Sequence, residues 1–222
     1  MTGLTPVVIK TEEAAKLYNA IRNSHAHEID HEVQPNYWLH TADSVRITEQ
    51  NDEHAIQIFT DGCKSEQRAG AGVAIFIQTK LVHQSRYTLH KICSNNQAEQ
   101  LAIVKALEII GKLYTNDKIP RSVTVNSDSR ITHQSLQNTN NHSYIIEEIM
   151  KLVIDLEKRN WTITFTWKKA HVGIYGNVLT DELAKETTRK ANIFFKRITK
   201  SKAVKLTDQS IAKWQNQSDH TT

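Results

Sequence analysis

The 222-residue chain lacks the features that mark secreted, membrane-spanning or repetitive proteins. It has two cysteines, Cys63 and Cys93, with no CxxC pair, which argues against a disulfide framework or a cysteine-based metal site and favours a reducing compartment. No apolar run approaches the ~20 residues that a transmembrane helix needs. Met1 to Lys10 lacks the charged-then-apolar pattern of a signal peptide, and no internal repeat is visible. We therefore expect an intracellular protein without a membrane segment, in a compartment that the sequence leaves open.

Positive charge is scarce at the N-terminal end and concentrated towards the C-terminal end. The formal net charge is +4, yet residues 1–60 carry four basic residues against nine acids. Between Lys185 and Lys205 there are eight basic residues and one acid, Glu186. Such a cluster is suited to nucleic-acid phosphates, whose counterions it would release. A solvated helix end and tail would have the same composition.

The chain divides into three predicted segments. Residues 1–54 are polar and broken by Pro35, and we interpret them as an N-terminal extension or linker. Residues 55–191 hold regular hydrophobic patterns, and an overall hydrophobic content of 39% is enough for a core. Residues 192–222 are interpreted as a basic C-terminal tail.

Hydrophobic spacing within residues 55–191 predicts an α/β domain. Alternating residues predict strands near 56–59, 71–78, 81–89, 121–126 and 161–167. Apolar faces predict helices near 98–113, 129–136 and 145–156, and a closing helix contains Asp181. A short turn at 78–80 makes the neighbouring strands antiparallel. The order β-β-β-α-β-α-α-β-α predicts a five-stranded mixed sheet, three antiparallel strands and then two parallel ones, flanked by helices.

Two local patterns give more detailed expectations. The string Ser94-Asn95-Asn96-Gln97 matches a capping box at the start of the long apolar helix. In the last strand, apolar residues from Trp161 to Trp167 alternate with threonines, which predicts one buried and one wetter face, as at a sheet edge. The shared apolar face also places both tryptophans in the core rather than on a nucleic-acid surface.

Four carboxylates occur at the ends of predicted elements: Asp61, Glu99, Asp128 and Asp181. Taken singly, each has an ordinary explanation as a turn residue, a helix cap or a first-turn acid. Strand ends and helix N-termini converge in one crevice of an open α/β fold, and carboxylate oxygens are the ligands that Mg²⁺ prefers. Two such ions about 4 Å apart can activate water and stabilise both oxygens in phosphodiester hydrolysis. The joint pattern therefore predicts a dinuclear metal site.

The motifs that contain these acids resemble the type 1 ribonuclease H family. They are Thr60-Asp61-Gly62, Ser94-Asn95-Asn96-Gln97-Ala98-Glu99, Ser127-Asp128-Ser129 and His171-Val172-Gly173 with Asp181-Glu182-Leu183-Ala184. More narrowly, residues 55–191 resemble the ribonuclease H domain of insect-type non-LTR retrotransposon polyproteins. The segment Pro35-Asn36-Tyr37-Trp38-Leu39-His40 resembles the stretch preceding that domain. The resemblance implies an endonuclease that hydrolyses the RNA strand of RNA–DNA hybrids with two Mg²⁺ ions, or Mn²⁺, beside a reverse transcriptase of the same polyprotein.

The resemblance also implies a role for each matching residue. Asp61 would bridge both ions and Asp181 would complete the site of the ion that activates water. Glu99 with Asp128 would hold the ion facing the leaving oxygen. His171 would assist proton traffic or product release from a loop. Three amide side chains would contact the nucleic acid: Asn95, Gln97 and Asn177.

Departures from the family pattern keep two alternatives open. Cys63 replaces a serine, and Val178 and Thr180 stand where glutamate and alanine are usual. The missing glutamate could weaken ion placement, and Thr180 could disturb the helix start. An inactive nucleic-acid-binding remnant is therefore one alternative. A transposase- or integrase-type strand-transfer domain on the same fold is the other, although the order of Glu99 before Asp128 disfavours it. Oligomeric state stays open.

Overall fold

A mixed β-sheet flanked by helices forms the centre of the computed structural model, which describes residues 29–30, 33–39, 45–48, 54–113, 121–168, 174–187 and 193–199. Its strands are β1 Ile29–Asp30, β2 Arg46–Thr48, β3 Ile56–Lys64, β4 Arg68–Ile77, β5 Lys80–His90, β6 Ser122–Ser127, β7 Thr162–Trp167, β8 Ile193–Phe195 and β9 Ile198–Thr199. Its helices are α1 Asn95–Leu113, α2 Arg130–Gln137, α3 Tyr144–Glu157 and α4 Tyr175–Glu186, with a 3-10 turn at Pro35–Tyr37.

The chain forms two units. One spans residues 32–196, and the other combines residues 1–31 with 197–222. In the second unit, β1 pairs with β9 in parallel. The predicted boundaries at residues 54/55 and 191/192 stay a prediction.

The sheet of the larger unit has seven strands in the order β2-β7-β6-β3-β4-β5-β8. Strands β3, β4 and β5 are antiparallel neighbours, and β6 and β7 continue from β3 in parallel. This confirms the predicted fold class and the arrangement of its five central strands. The predicted strand number was too small, because β2 and β8 add one short parallel strand at each edge. Residues 193–195, assigned to a tail by the sequence, form β8.

The predicted hairpin and helix start are present in the structure. Gln78 and Thr79 have φ values of 48° and 68°, the pair of positive values that a tight turn between twisted strands requires. At the start of α1, the Ser94 hydroxyl accepts the Gln97 backbone N–H at 3.1 Å. The Gln97 side-chain oxygen in turn accepts the Ser94 N–H at 2.9 Å, which completes a capping box.

The core lies between the sheet and the helices α1 and α3, with α2 beside them. Helix α1 packs on β3, β4 and α3. Its apolar residues from Ala98 to Ile110 are buried except Ile109, which is partly buried, as the sequence predicts for a central helix. Helix α4 packs against β3 and β4. Within the described residues, no helix combines the length and apolar character needed to cross a bilayer.

The prediction that the last strand lies at a sheet edge is wrong. Strand β7 is covered on its outer side by β2, with Thr48 paired to Thr166 in parallel register. Thr164 and Thr166, on the predicted wetter face, are buried. No hydrophobic pattern predicts this pairing, because β2 is three residues long and lies in a polar segment. Trp161 belongs to the core, but Trp167 is only half-buried at the strand end.

Within the larger unit, the segment 33–39 is anchored to helix α3 through a buried histidine–glutamate pair. Glu147 of α3 lies with one oxygen 2.6 Å from His142 Nδ1, and both side chains are buried. Its second oxygen accepts the backbone N–H of Leu39 at 2.7 Å. The Trp38 ring stacks on the His142 ring at a centroid distance of 3.6 Å. Both carboxylate oxygens of Glu147 therefore have specific partners.

Replacing Glu147 by alanine should lower the free energy of unfolding by about 2–4 kcal/mol, because the buried His142 imidazole and the Leu39 backbone N–H lose this partner. Urea unfolding measures the change. Glu157→Ala, an exposed acid at the end of the same helix, is the control and should change stability by less than about 0.5 kcal/mol. Equal losses in the two variants would contradict the anchoring role.

Candidate metal centre

Three carboxylates from three elements come together at one end of the sheet. Asp61 lies in β3, Asp128 follows β6 directly, and Glu99 is the fifth residue of α1. One oxygen of each lies within 4.8 Å of the other two. The parallel register of β3 and β6 pairs Thr60 with Ser127. Asp61 and Asp128, the residues that follow this pair, are therefore neighbours. Glu99 lies one residue beyond the predicted first turn.

Gly62 explains how α1 approaches the strand so closely. A Cβ atom at this position would lie 2.5 Å from the Glu99 backbone nitrogen, which no real side chain tolerates. The missing side chain lets the start of α1 pack directly on β3. The Gly62 N–H also donates to Asp61 Oδ1 at 2.8 Å and thereby orients that carboxylate. The Asp-Gly pair of the motif thus supplies both a ligand and the space beside it.

The acids line a cavity of about 360 Å³. Its walls are formed by Thr60, Asp61, Gly62, Cys63, Lys64, Asn95, Glu99, Asp128, Asn177, Val178, Thr180 and Asp181. All four predicted acidic ligands therefore share one cavity. Asp181 is outside the group whose oxygens lie within 4.8 Å of one another.

Helix α4 brings Asp181 to the cavity through close backbone packing. A Cβ atom on Gly72 of β4 would lie 2.2 Å from the Thr180 carbonyl oxygen, so the helix rests directly on the strand. The Asp181 carboxylate accepts a hydrogen bond from Lys185 Nζ at 2.6 Å, one turn further along the helix. This ion pair raises the pKa of Lys185. Asp181 thus has a cationic partner on its own helix.

Two of the clustered acids, Asp61 and Glu99, have raised pKa values. Burial, followed by repulsion from Asp128, raises the pKa of Asp61 to about 7. Burial and the neighbouring Asp61 raise the pKa of Glu99 well above its ordinary value. Glu99 Oε2 is buried and has no hydrogen-bond partner among the described residues. Hard oxygen ligands with raised pKa values and an unpartnered buried oxygen fit a divalent cation.

The predicted nucleic-acid residues differ in their positions. Asn95 lies at the cavity rim, and its amide nitrogen lies 3.4 Å from Glu99 Oε1. Asn177 also lines the cavity, and its buried side-chain nitrogen has no hydrogen-bond partner in the part of the chain that the structure describes. Gln97 is buried in the capping box and does not line the cavity. His171 lies outside the described residues.

Sequence reasoning missed several residues around the site. Lys64 lines the cavity, and its ammonium group donates to the Lys91 carbonyl oxygen at 2.6 Å. Trp167 Nε1 donates to the Asp128 backbone oxygen at 2.9 Å, and the Arg130 guanidinium carbon lies 4.4 Å from the Trp167 ring centroid. Cys63, one of the departures from the family pattern that the sequence shows, also lines the cavity, where burial and then Asp61 raise the pKa of its thiol. Lys64 and Cys63 follow the Asp-Gly motif directly, whereas no local pattern identifies the contact of Trp167.

The metal-free protein should lose stability as the pH rises from about 4 to above 7. The pKa of Asp61 is raised from 3.8 to about 7, so in this window the folded state keeps a proton that the unfolded chain releases, which favours unfolding as pH increases. Asp61→Asn removes this titrating group and also the repulsion that Asp61 exerts on Glu99. Urea unfolding in EDTA at pH 5, 6, 7 and 8 should give a shallower decline for the variant, with a difference of about a few kcal/mol at pH 8.

Asp155→Asn, which changes an exposed acid on α3, is the matched control and should keep the wild-type slope. Parallel stability profiles for the wild type and Asp61→Asn would contradict a proton held by the acidic cluster.

The comparisons with known proteins agree with this site. The family model described as RNase H matches residues 53–189. Ribonuclease H of Trichodesmium erythraeum (strain IMS101) is 27% identical over 153 residues, covering 66% of this chain and 96% of that protein. Ribonuclease H of Vibrio vulnificus (strain YJ016) is 24% identical over 141 residues, covering 59% and 86%.

Among solved structures, RNase H1 from the halophilic archaeon Halobacterium salinarum NRC-1 aligns with a TM-score of 0.48 and 20% identity, over 61% of this chain and 98% of that one. The family match spans more than half of the sequence and includes all four acids of the cavity. The chain therefore belongs to the ribonuclease H family of enzymes.

Proposed function

We propose that this protein is an endonuclease that hydrolyses the RNA strand of RNA–DNA hybrids, with Mg²⁺ as the cation and Mn²⁺ as a substitute. The observation that carries the proposal is the convergence of Asp61, Glu99 and Asp128 within 4.8 Å in a chain of the ribonuclease H family. The cavity also contains Asp181, the fourth acid that the motif requires. Family membership supplies the substrate class, and the acidic cluster supplies the chemistry.

Asp61, Glu99 and Asp128 would hold one divalent cation, and Asp61 with Asp181 a second. When bound, such cations activate water and stabilise the charge that develops on the phosphate and the leaving oxygen. The residues of the chain fix this arrangement beforehand: Gly62 N–H orients Asp61, and the Asn95 amide lies beside Glu99.

Asn95 and Asn177 are the side chains that we propose to contact the hybrid. Both line the cavity beside the acids, and amides of this kind can bond a ribose 2′-hydroxyl, which distinguishes RNA from DNA. Gln97 would act through the helix start that it caps, and His171 would assist proton transfer or product release.

The departures from the family pattern leave the acidic site complete. Thr180 is buried in α4, and its hydroxyl donates to the backbone oxygens of Gly176 and Asn177 at 3.0 and 3.1 Å, so the helix starts without a break. Val178 is exposed on the cavity wall, where the usual glutamate would add a negative charge. The absence of this glutamate would weaken the binding of metal. Val178 therefore keeps an inactive nucleic-acid-binding remnant as the second candidate function.

The protein should cleave RNA in a labelled RNA–DNA hybrid in Mg²⁺, and should leave double-stranded RNA and double-stranded DNA intact. EDTA should abolish cleavage. Asp61→Asn should lower the rate by at least about 100-fold, since even the loss of an outer partner of a metal ligand costs up to that much. Gel analysis of the products measures the rate on each substrate.

Asp155→Asn serves as the control and should cleave at the wild-type rate. Binding of the hybrid without cleavage in either metal would contradict the proposal and favour the inactive remnant. Joining of DNA strands would favour the strand-transfer alternative.

We further propose that the domain acts within a non-LTR retrotransposon polyprotein of insect type, beside a reverse transcriptase. The resemblance of the motifs supports this, as does the segment Pro35–His40. Residues 33–39 of that region lie upstream of the family match and pack on the domain through Trp38 and Leu39.

Antibodies against the domain should detect a species much larger than 25.4 kDa in cells of the source organism. Reverse transcriptase activity should be recovered with that species on immunoprecipitation. An antibody against an unrelated domain of similar size provides the control. Detection of a 25.4 kDa species alone, without polymerase activity, would contradict the polyprotein context.

A further inference from the structure

Asp128 differs from the other two clustered acids in how its backbone is held. Asp61 belongs to the β3–β4 ladder, where it pairs with Gly72, and Glu99 lies inside α1. Asp128 lies between the end of β6 and the start of α2, outside any regular element. Neither a sheet ladder nor a helical turn fixes its backbone angles. Its position must therefore depend on other contacts.

Both peptide groups that flank the Asp128 Cα atom are held by the end of β7. On the N-terminal side, the Lys168 N–H donates to the Ser127 carbonyl oxygen at 3.0 Å. On the C-terminal side, the Trp167 indole N–H donates to the Asp128 carbonyl oxygen at 2.9 Å. The Ser129 N–H of the same peptide group donates to Ser127 Oγ at 3.2 Å. With both peptide planes held, the direction of the Asp128 Cα–Cβ bond is set, and this limits where the carboxylate can lie.

The Trp167 ring is itself held in place from the other side. The Arg130 guanidinium carbon lies 4.4 Å from the ring centroid, within the range of a cation–π contact. Arg130 is the first residue of α2, whose start is capped by Ser129, with the Thr132 N–H donating to Ser129 Oγ at 3.3 Å. Residues 128–130 and the end of β7 thus form a closed set of contacts around the metal ligand.

We propose that Trp167, held by Arg130, is a positioning residue that sets the orientation of Asp128 and thereby the metal affinity of the site. This inference rests on the proposed function of the acidic cluster. Carboxylate ligands must be held to within about 0.5 Å and 10–20° of their working geometry. Loss of the indole N–H removes one of the two hydrogen bonds that hold the Asp128–Ser129 peptide group. The group can then rotate, and the carboxylate turns relative to Asp61 and Glu99.

The test compares two identical substitutions on one strand region. Trp167→Phe removes the N–H but keeps an aromatic ring for Arg130. Trp161→Phe removes the same atoms from a tryptophan in the hydrophobic core. Calorimetric titration with Mn²⁺ at pH 8 should show about 10- to 100-fold weaker binding for Trp167→Phe, the range seen when a metal ligand loses its outer partner. Trp161→Phe should bind Mn²⁺ as the wild type does, even where urea unfolding shows that it is less stable.

Steady-state cleavage of the hybrid provides a second measurement. Trp167→Phe should lower kcat at fixed Mg²⁺ with little change in KM for the hybrid, and higher Mg²⁺ or Mn²⁺ should restore much of the rate. A general loss of structure would lower the fraction of active enzyme without this metal dependence.

Wild-type Mn²⁺ affinity in a folded Trp167→Phe protein would overturn the inference, as would equal losses of affinity in the two tryptophan variants.

Should Trp167→Phe fail to fold, Arg130→Met carries the test, because it removes the guanidinium from the ring at an exposed position. It should weaken Mn²⁺ binding several-fold, and unchanged affinity would overturn the inference. Trp167-dependent Mn²⁺ binding in a wild type that cleaves no hybrid would refute the proposed function alone.

Discussion

Repulsion among three carboxylates is the interaction on which the rest of the structure depends. Asp61, Glu99 and Asp128 place oxygens within 4.8 Å of one another, where burial limits the screening of charge by water. Burial first, and repulsion from the neighbouring acids second, raises the pKa values of Asp61 and Glu99. Protons or cations must neutralise the cluster, and its stability has to come from elsewhere in the domain. The apolar layer between the sheet and helices α1 and α3 provides that stability.

Close backbone packing of two helices on the sheet brings the acids together. Gly62 admits the start of α1 to β3, and Gly72 admits α4 to β4, with distances that no side chain would permit. The four acids therefore sit on elements that share the sheet as a common support. The two sides of the cavity differ in charge balance, because Asp181 is paired with Lys185 while Glu99 has a buried oxygen without a partner among the described residues. The unsatisfied charge is concentrated in the three-acid cluster.

Short strands protect both edges of the sheet, and one of them lies next to the site. Strand β2 covers β7, and β8 covers the end of β5, which limits the open edge available for unwanted pairing. Strand β2 lies upstream of the family match, which begins at residue 53. It pairs Thr48 with Thr166, the neighbour of the residue that bonds Asp128. The segment before the matched region is thus part of the sheet that supports the metal ligands.

Features with a local origin were predictable from the sequence, and those with a distant partner were not. Alternation, helical spacing and a capping box predicted the five central strands and the long helix α1, since each is a pattern within a few residues. The acidic cluster was predictable because each of its acids lies in a short motif at the end of such an element. The edge position assigned to β7 was wrong, because the threonines are covered through a three-residue strand more than a hundred positions away. Gln97 was assigned to the substrate, although the same capping box already predicted its use within the helix start. The contact between Trp167 and the Asp128 backbone joins residues 39 positions apart. A side chain that bonds a distant carbonyl leaves no periodic trace, so only the fold reveals it.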